Sequence, residues 1–310
     1  RTSRPRPSAA RPGRRGTSGS LGGRGSLRAV ADAGDEIILL TPYYFNHEMA
    51  IAMANCHTVV VPTDENYQPD VPAIASAISP KTKAIVTVSP NNPTGAVYSE
   101  EALQAINSLC AEHSIYHISD ETYEYFTYDG ARHVTPLAFE DAEDHTISIY
   151  SLSKAYGFAS WRIGYMVIPE TLISAVEKIQ DTILICPPVV SQVAAEAALE
   201  VGRAYCTPYV EAYAQVRKLV LDELASIPDI VNVPRPDGAF YCFLKVNLPL
   251  APMDLCQRLI EHAGVAVIPG DTFGIDGCYL RISYGALEQA DVSEGIGRLV
   301  TGLQKVAASL

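Results

Sequence analysis

The first 28 residues carry almost no apolar pattern, and the chain becomes strongly patterned from Asp35 onward. Short apolar runs recur at Glu36–Leu40, Thr58–Val61, Ala84–Val88, Ile115–Ile118 and Thr146–Tyr150. Each is brief and rich in β-branched residues, which predicts buried strands. Helical stretches lie between them. The clearest starts after Ser99, a good N-cap, with Glu100 and Glu101 in its first turn and Leu103, Ile106 and Cys110 at helical spacing. Strands alternating with helices predict an α/β unit, a mostly parallel sheet covered by helices on both faces.

A long helical region is expected over 169–207. After Pro208 the texture changes to a helix near Tyr209–Ser226, short runs at Val231–Val233 and Ala239–Leu244, and a helix near Met253–Ala263. A strand at Tyr279–Ser283 and a last helix near Leu287–Val306 complete what reads as a smaller α+β domain. The expected organisation is a leader over 1–28, a large domain over 29–207 and a small domain over 208–310. At 310 residues two domains is the natural division, at roughly 100–200 residues each.

Charge changes the picture at the N-terminus. Eight of the 23 basic residues precede Asp32, and no acid does, which leaves 15 basic against 35 acidic residues in the remainder. So acidic a body repels phosphate backbones and argues against nucleic acid. The Arg-, Gly-, Ser- and Pro-rich leader buries too little to offset chain entropy and is expected to be disordered. It also has the composition of an organelle transit peptide, the other reading being an arbitrary N-terminus. The expected location is cytoplasmic, or organellar if the leader is such a peptide. Seven scattered cysteines with no CxxC pair suggest neither a disulfide framework nor a zinc site. No apolar run is long enough to span a membrane.

Four motifs carry candidate chemistry, three at the ends of strands and one within a strand. Ser89-Pro90-Asn91-Asn92-Pro93-Thr94-Gly95 reads either as an ordinary turn or as a ligand-binding loop at a strand's carboxyl end. Asp120, in Ser119-Asp120-Glu121-Thr122-Tyr123, is either a helix cap or a carboxylate that holds a ring nitrogen protonated. Lys154, in Ser151-Leu152-Ser153-Lys154, is either a solvated charge or a Schiff-base amine. Arg162 follows eight residues on and is either a salt-bridged edge residue or, paired with Ser151, a clamp for a phosphate. Arg281, in Leu280-Arg281-Ile282-Ser283, sits between apolar neighbours, which is costly without a partner such as a substrate carboxylate.

In this order and spacing the motifs, with Trp161-Arg162-Ile163-Gly164 and Pro269-Gly270-x-x-Phe273-Gly274, resemble the class I/II aminotransferases of pyridoxal 5′-phosphate (PLP) fold type I. The resemblance covers about residues 30–305. It implies that Lys154 carries the cofactor and moves the proton between substrate Cα and cofactor C4′. Asp120 would pair with the pyridine nitrogen, and Tyr123 and Asn92 would bond O3′. Ser151 and Arg162 would bind the phosphate, Tyr44 would stack on the ring, and Arg281 would hold the substrate α-carboxylate, beside Asn92. It further implies a homodimer, and a ping-pong transfer of the amino group from an L-amino acid to a 2-oxo acid. A lyase of the same fold, and a catalytically impaired PLP-binding fragment, are the alternatives.

The family carries a glycine-containing phosphate loop and a helix before the Gly-Asp at Gly34-Asp35. Here Thr17-Ser18-Gly19-Ser20 imitates the loop, but Leu21-Gly22-Gly23-Arg24-Gly25 does not read as a helix. Upstream of that loop the family has a further N-terminal segment that nothing here resembles, so reduced activity is expected.

Overall fold

The computed structural model describes residues 19–285 and 288–310. Six strands form the main sheet: β1 (Glu36–Thr41), β2 (His57–Pro62), β3 (Thr82–Val88), β4 (Tyr116–Asp120), β5 (Thr146–Ser151) and β6 (Gly164–Val167). Their spatial order is β2-β1-β3-β4-β5-β6, all parallel except β6, which runs antiparallel to β5. The five strands expected from the apolar runs are all present.

The side-chain period of two explains why both faces are apolar. Ile37 and Leu39 of β1 enter one core layer with Ala84, Val86, Ile147 and Ile149. Ile38 and Leu40 enter the opposite layer with Ile85. The first layer is closed by α1 (Gly19–Val30), α2 (Phe45–Met53) and α6 (Ile173–Ile183), the second by α3 (Val71–Ala77) and α4 (Glu100–His113). Ser99 caps α4 as expected, its hydroxyl accepting from Ala102 N at 3.1 Å. The short α5 (Leu152–Ala155) follows β5 directly.

Helix α1 overturns one expectation. The glycine-rich stretch 19–28, assigned above to a disordered leader and judged unfit for a helix, is helical to Val30. Local propensity loses to packing here. Leu27 and Ser26 are fully buried, and the helix lies against α2, α6 and β5. Residues 1–18, including Thr17 and Ser18 of the phosphate-loop candidate, lie outside the described residues.

The helical region expected over 169–207 is not continuous. α6 ends before Pro187-Pro188, and α7 (Val189–Val201) starts after them, since two successive prolines remove two helical N–H donors and disfavour a continuous helix. α8 runs Arg203–Leu224 with Pro208 inside it, so the expected division at 207/208 falls within this helix. Beyond it, β7 (Val231–Asn232), β8 (Tyr241–Val246), α9 (Pro252–Ala263), β9 (Ile268–Pro269), β10 (Tyr279–Ser283) and α10 (Gln289–Ala308) follow. The four strands form a second, antiparallel sheet ordered β7-β8-β10-β9. Val220 of α8, Leu244 of β8, Leu255 of α9 and Leu299 of α10 share its core.

A polar network crosses the main sheet's second layer. His117 on β4 is fully buried between Thr87 Oγ1 at 2.9 Å and Asn107 Nδ2 at 3.1 Å. Asn107 also donates to Thr146 Oγ1, and its Oδ1 meets His145 Nε2 at 3.0 Å. Burial first, then the neighbouring His145, pushes His117 down to about 3. It is therefore neutral in the fold and protonates on unfolding. Its contribution is fully present above the ordinary histidine value near 6.5 and is lost as pH falls toward the depressed value. Stability should drop by about 2 kcal/mol between pH 7 and pH 5 from this residue. Urea unfolding at both pH values, with proton uptake on unfolding near pH 5, checks it.

Candidate active site

The site lies at the carboxyl ends of the parallel strands, where α/β sheets bind ligands. A cavity of about 310 Å³ is lined by Tyr44, His47, Asn92, Asp120, Tyr123, Ser151, Lys154, Arg162, Tyr241 and Arg281, among others. All eight residues singled out from the sequence thus meet in one cavity. A larger groove of about 660 Å³ lies beside α8, but its cations are taken, Arg217 and Arg235 by Asp129 and Lys218 by Asp222.

Each residue's place follows from its strand. Tyr44 is the N-cap residue of α2, just past β1, and its hydroxyl accepts from Asn46 Nδ2 at 2.7 Å. Asn92 sits in the loop after β3. That loop turns at Gly95, whose φ of +75° and lack of a Cβ let it pack on Pro236 and the Gly238 carbonyl. Asp120 ends β4. Ser151 ends β5 and caps α5, accepting from Ser153 N at 3.2 Å, while Lys154 is carried on α5. Arg162, at φ +53°, donates from Nη1 to Ala159 O at 2.7 Å. Arg281 comes from β10, in the second sheet.

Asp120 is held as a charged carboxylate. Burial alone would raise it, but His47 and Thr122 outweigh that and lower it. His47 Nε2 lies 3.0 Å from Oδ2, and Thr122 donates to Oδ1 from its hydroxyl at 2.6 Å and its backbone N–H at 3.1 Å. Lys154 is solvent-accessible because it faces the open cavity, yet protein crowds its amine. Partial burial first, then Arg281 and Arg162, lowers its pKa. A shift in this direction favours the neutral amine, the form that a nucleophile or proton acceptor needs. Its Nζ lies 6.0 Å from the centroid of the Phe240 ring.

Arg281 is framed on several sides. Nη1 donates to Asn92 Oδ1 at 2.9 Å, and the guanidinium lies over the rings of Tyr241 at 4.7 Å and Phe273 at 5.1 Å. Its Nε is buried without a hydrogen-bond partner. A buried donor left over in a guanidinium fork suits a carboxylate bound there.

Sequence reasoning missed two residues of this cavity. His47 holds Asp120, and its position one turn after Tyr44 on α2 was the available signal. Tyr241 meets Tyr123 hydroxyl to hydroxyl at 2.6 Å. Within the apolar run Phe240-Tyr241-Cys242-Phe243 nothing distinguishes it from a core residue.

The residues present fit PLP: a charged carboxylate, a lysine of lowered pKa, an arginine beside a capping serine, and an aromatic side chain bordering one cavity. Comparison with known proteins agrees with this chemistry. Residues 16–299 match the family model described as aminotransferase class I and II. The aspartate/prephenate aminotransferase of Thermus thermophilus is 37% identical over 281 residues, which cover 87% of this chain and 71% of that protein. An aromatic aminotransferase of Arabidopsis thaliana is 34% identical over 288 residues, 89% of this chain and 71% of that one. Among solved structures, an aromatic aminotransferase from Pyrococcus horikoshii superposes with a TM-score of 0.91 at 30% identity, covering 96% of this chain and 82% of that chain. The aspartate aminotransferase of Thermus thermophilus with maleate gives 0.87 at 34%, covering 94% and 76%.

The fold and the family match together define a transferase of amino groups. The chain belongs to the class I and II aminotransferase family, which typically uses PLP, and it is an aminotransferase with the fold of aspartate aminotransferase. Among the described residues, no helix is long and apolar enough to cross a membrane.

Proposed function

We propose that this enzyme holds PLP in the cavity at the strand ends and runs both half-reactions of a ping-pong transfer there, from an L-amino acid to a 2-oxo acid. The observation that carries the reading is that Lys154, the His47- and Thr122-bonded Asp120 and the underused fork of Arg281 line one cavity. When bound, the cofactor supplies an electron sink for the substrate Cα. Asp120 would keep the ring nitrogen protonated, and His47 and Thr122 keep Asp120 charged. Asn92 and Tyr123 would donate to O3′. Ser151 and Arg162 would hold the phosphate, and Tyr44 would cover the ring. Lys154 would carry the cofactor through its amine and, once the substrate amine has displaced it, would take the proton from substrate Cα and deliver it at C4′. Arg281 grips the α-carboxylate in two-toothed fashion, with Asn92 fixing its orientation.

The test is direct. Protein loaded with PLP and reduced with borohydride should carry the pyridoxyl group on the Lys154 peptide, read by mass. Unreduced protein given an L-amino acid alone should yield one equivalent of 2-oxo acid per site and no ammonia. Ammonia release in place of amino-group retention would refute transfer.

Arg281→Lys should raise the amino-acid KM by about tenfold to a hundredfold, since a point charge cannot replace a charge-assisted planar fork. PLP affinity should move far less. Amines without a carboxylate that react as well as amino acids would contradict the role.

We also propose a homodimer. Ile183 at the end of α6, Ile185 just beyond it, and Val189, Val190, Val193 and Val201 on α7 are exposed, Ile185 to 72%. So large an apolar face is unusual on a monomer and suits a second copy. Sedimentation at micromolar concentration should give twice the chain mass.

A further inference from the structure

We propose that Tyr241 is a positioning residue that ties the two halves of the site together: its hydroxyl sets the Tyr123 phenol, and its ring carries the Arg281 guanidinium. The inference rests on the reading of the cavity given above and adds a residue to it.

The geometry is specific. Tyr241 opens β8 and is buried. Its hydroxyl meets that of Tyr123 at 2.6 Å, and the Arg281 guanidinium carbon stands 4.7 Å from its ring centroid. One side chain therefore touches both the O3′-binding group and the carboxylate-binding group. Two phenols sharing one hydrogen bond have one proton left over, and both line the cavity. The pair thus presents a single polarised donor there. Hydrogen-bonded chains of this kind strengthen one another in a low-dielectric site.

The segment that carries Tyr241 is fixed from several directions. Gly238 N donates to Gly95 O at 2.7 Å, in the loop of Asn92. Ala239 N donates to Phe126 O at 2.9 Å, and Tyr128 N to Asp237 O at 2.9 Å, both in the segment that follows Tyr123. Arg217, on α8, donates from Nε to Pro236 O at 2.6 Å and from Nη1 to Asp129 at 2.6 Å. Ala239 holds a positive φ of 53°, a conformation that costs a non-glycine residue energy and persists only where its surroundings over-determine it. The loops of Asn92 and Tyr123 are thus both stitched to the strand end that presents Tyr241.

Two variants separate its two contacts. Tyr241→Phe keeps the ring and removes the hydroxyl. PLP affinity should weaken by about twofold to tenfold, the worth of one hydrogen bond. The pH midpoint of the loaded protein's visible absorbance should move upward, because a weaker donor leaves O3′ a stronger base. In a Tyr123→Phe background the same substitution should add little, as it acts through that phenol. Tyr241→Leu removes the ring as well. Binding of 3-phenylpropionate to the cofactor-free protein, measured by calorimetry, should weaken by about tenfold, while Tyr241→Phe should bind it as the wild type does. Thermal melts of both variants confirm that they fold.

An unchanged absorbance midpoint and PLP affinity in Tyr241→Phe, additive effects in the double variant, or wild-type carboxylate binding in Tyr241→Leu would each overturn the proposal. Failure of the wild-type protein to take PLP onto Lys154 would instead remove the cofactor reading, and the calorimetric comparison alone would then decide the role of Tyr241.

Discussion

Replacing Lys154 with alanine should cut transamination by roughly ten-thousandfold, the upper range for a positioned acid–base group that is also the proposed attachment point. Position and pKa both point there. Lys154 is carried on α5, directly after the β5 strand end, and burial with Arg281 and Arg162 lowers its pKa. Alanine offers neither a nucleophile nor a proton carrier. The variant should still take up PLP through Asp120, Ser151 and Arg162, but borohydride should no longer fix it to the chain. Lys154→Arg should be as inactive as Lys154→Ala, because a guanidinium stays charged and cannot accept the Cα proton. Turnover and mass spectrometry on both variants check the claim. Covalent retention of PLP after reduction of Lys154→Ala would disprove it.

The parallel sheet was legible because its strands are short apolar runs buried on both faces, as Ile37–Leu40 and Ala84–Val88 show. The candidate site was legible for a related reason. Asn92, Asp120 and Lys154 each follow such a run within a few residues, so the strand reading placed them at one edge. What stayed hidden depends on distant contacts. His47 owes its role to Asp120, 73 positions away, and Tyr241 to Tyr123, 118 positions away. Local pattern assigns both to ordinary helix or core positions. Helix α1 failed for the converse reason. Its glycines argue against a helix locally, while burial of Ser26 and Leu27 against α2, α6 and β5 decides the outcome.

The same distance dependence sets the expected behaviour of Asp120. Asp120→Asn keeps the shape and removes the charge that His47 and Thr122 stabilise. A neutral amide cannot hold a pyridine nitrogen protonated, so in the proposed role of Asp120 the electron sink would lose its drive. Turnover should fall by at least about a hundredfold, comparable to losing one preorganised electrostatic group. PLP affinity should fall by about tenfold to a hundredfold, the worth of a charge-assisted hydrogen bond. Asp120→Glu, which restores the charge with displaced geometry, should recover part of the turnover. His47→Phe should have a smaller effect, because the two Thr122 bonds still hold the carboxylate. The ordering of the three variants discriminates between explanations. If Asp120 served only to cap the turn at Thr122, asparagine would do so nearly as well, and Asp120→Asn would retain turnover within a few-fold of the wild type. If the charge is what matters, asparagine is the most damaging of the three, although it is the closest in shape. Steady-state turnover and PLP titration, with a thermal melt of each cofactor-free variant to confirm folding, decide between the two.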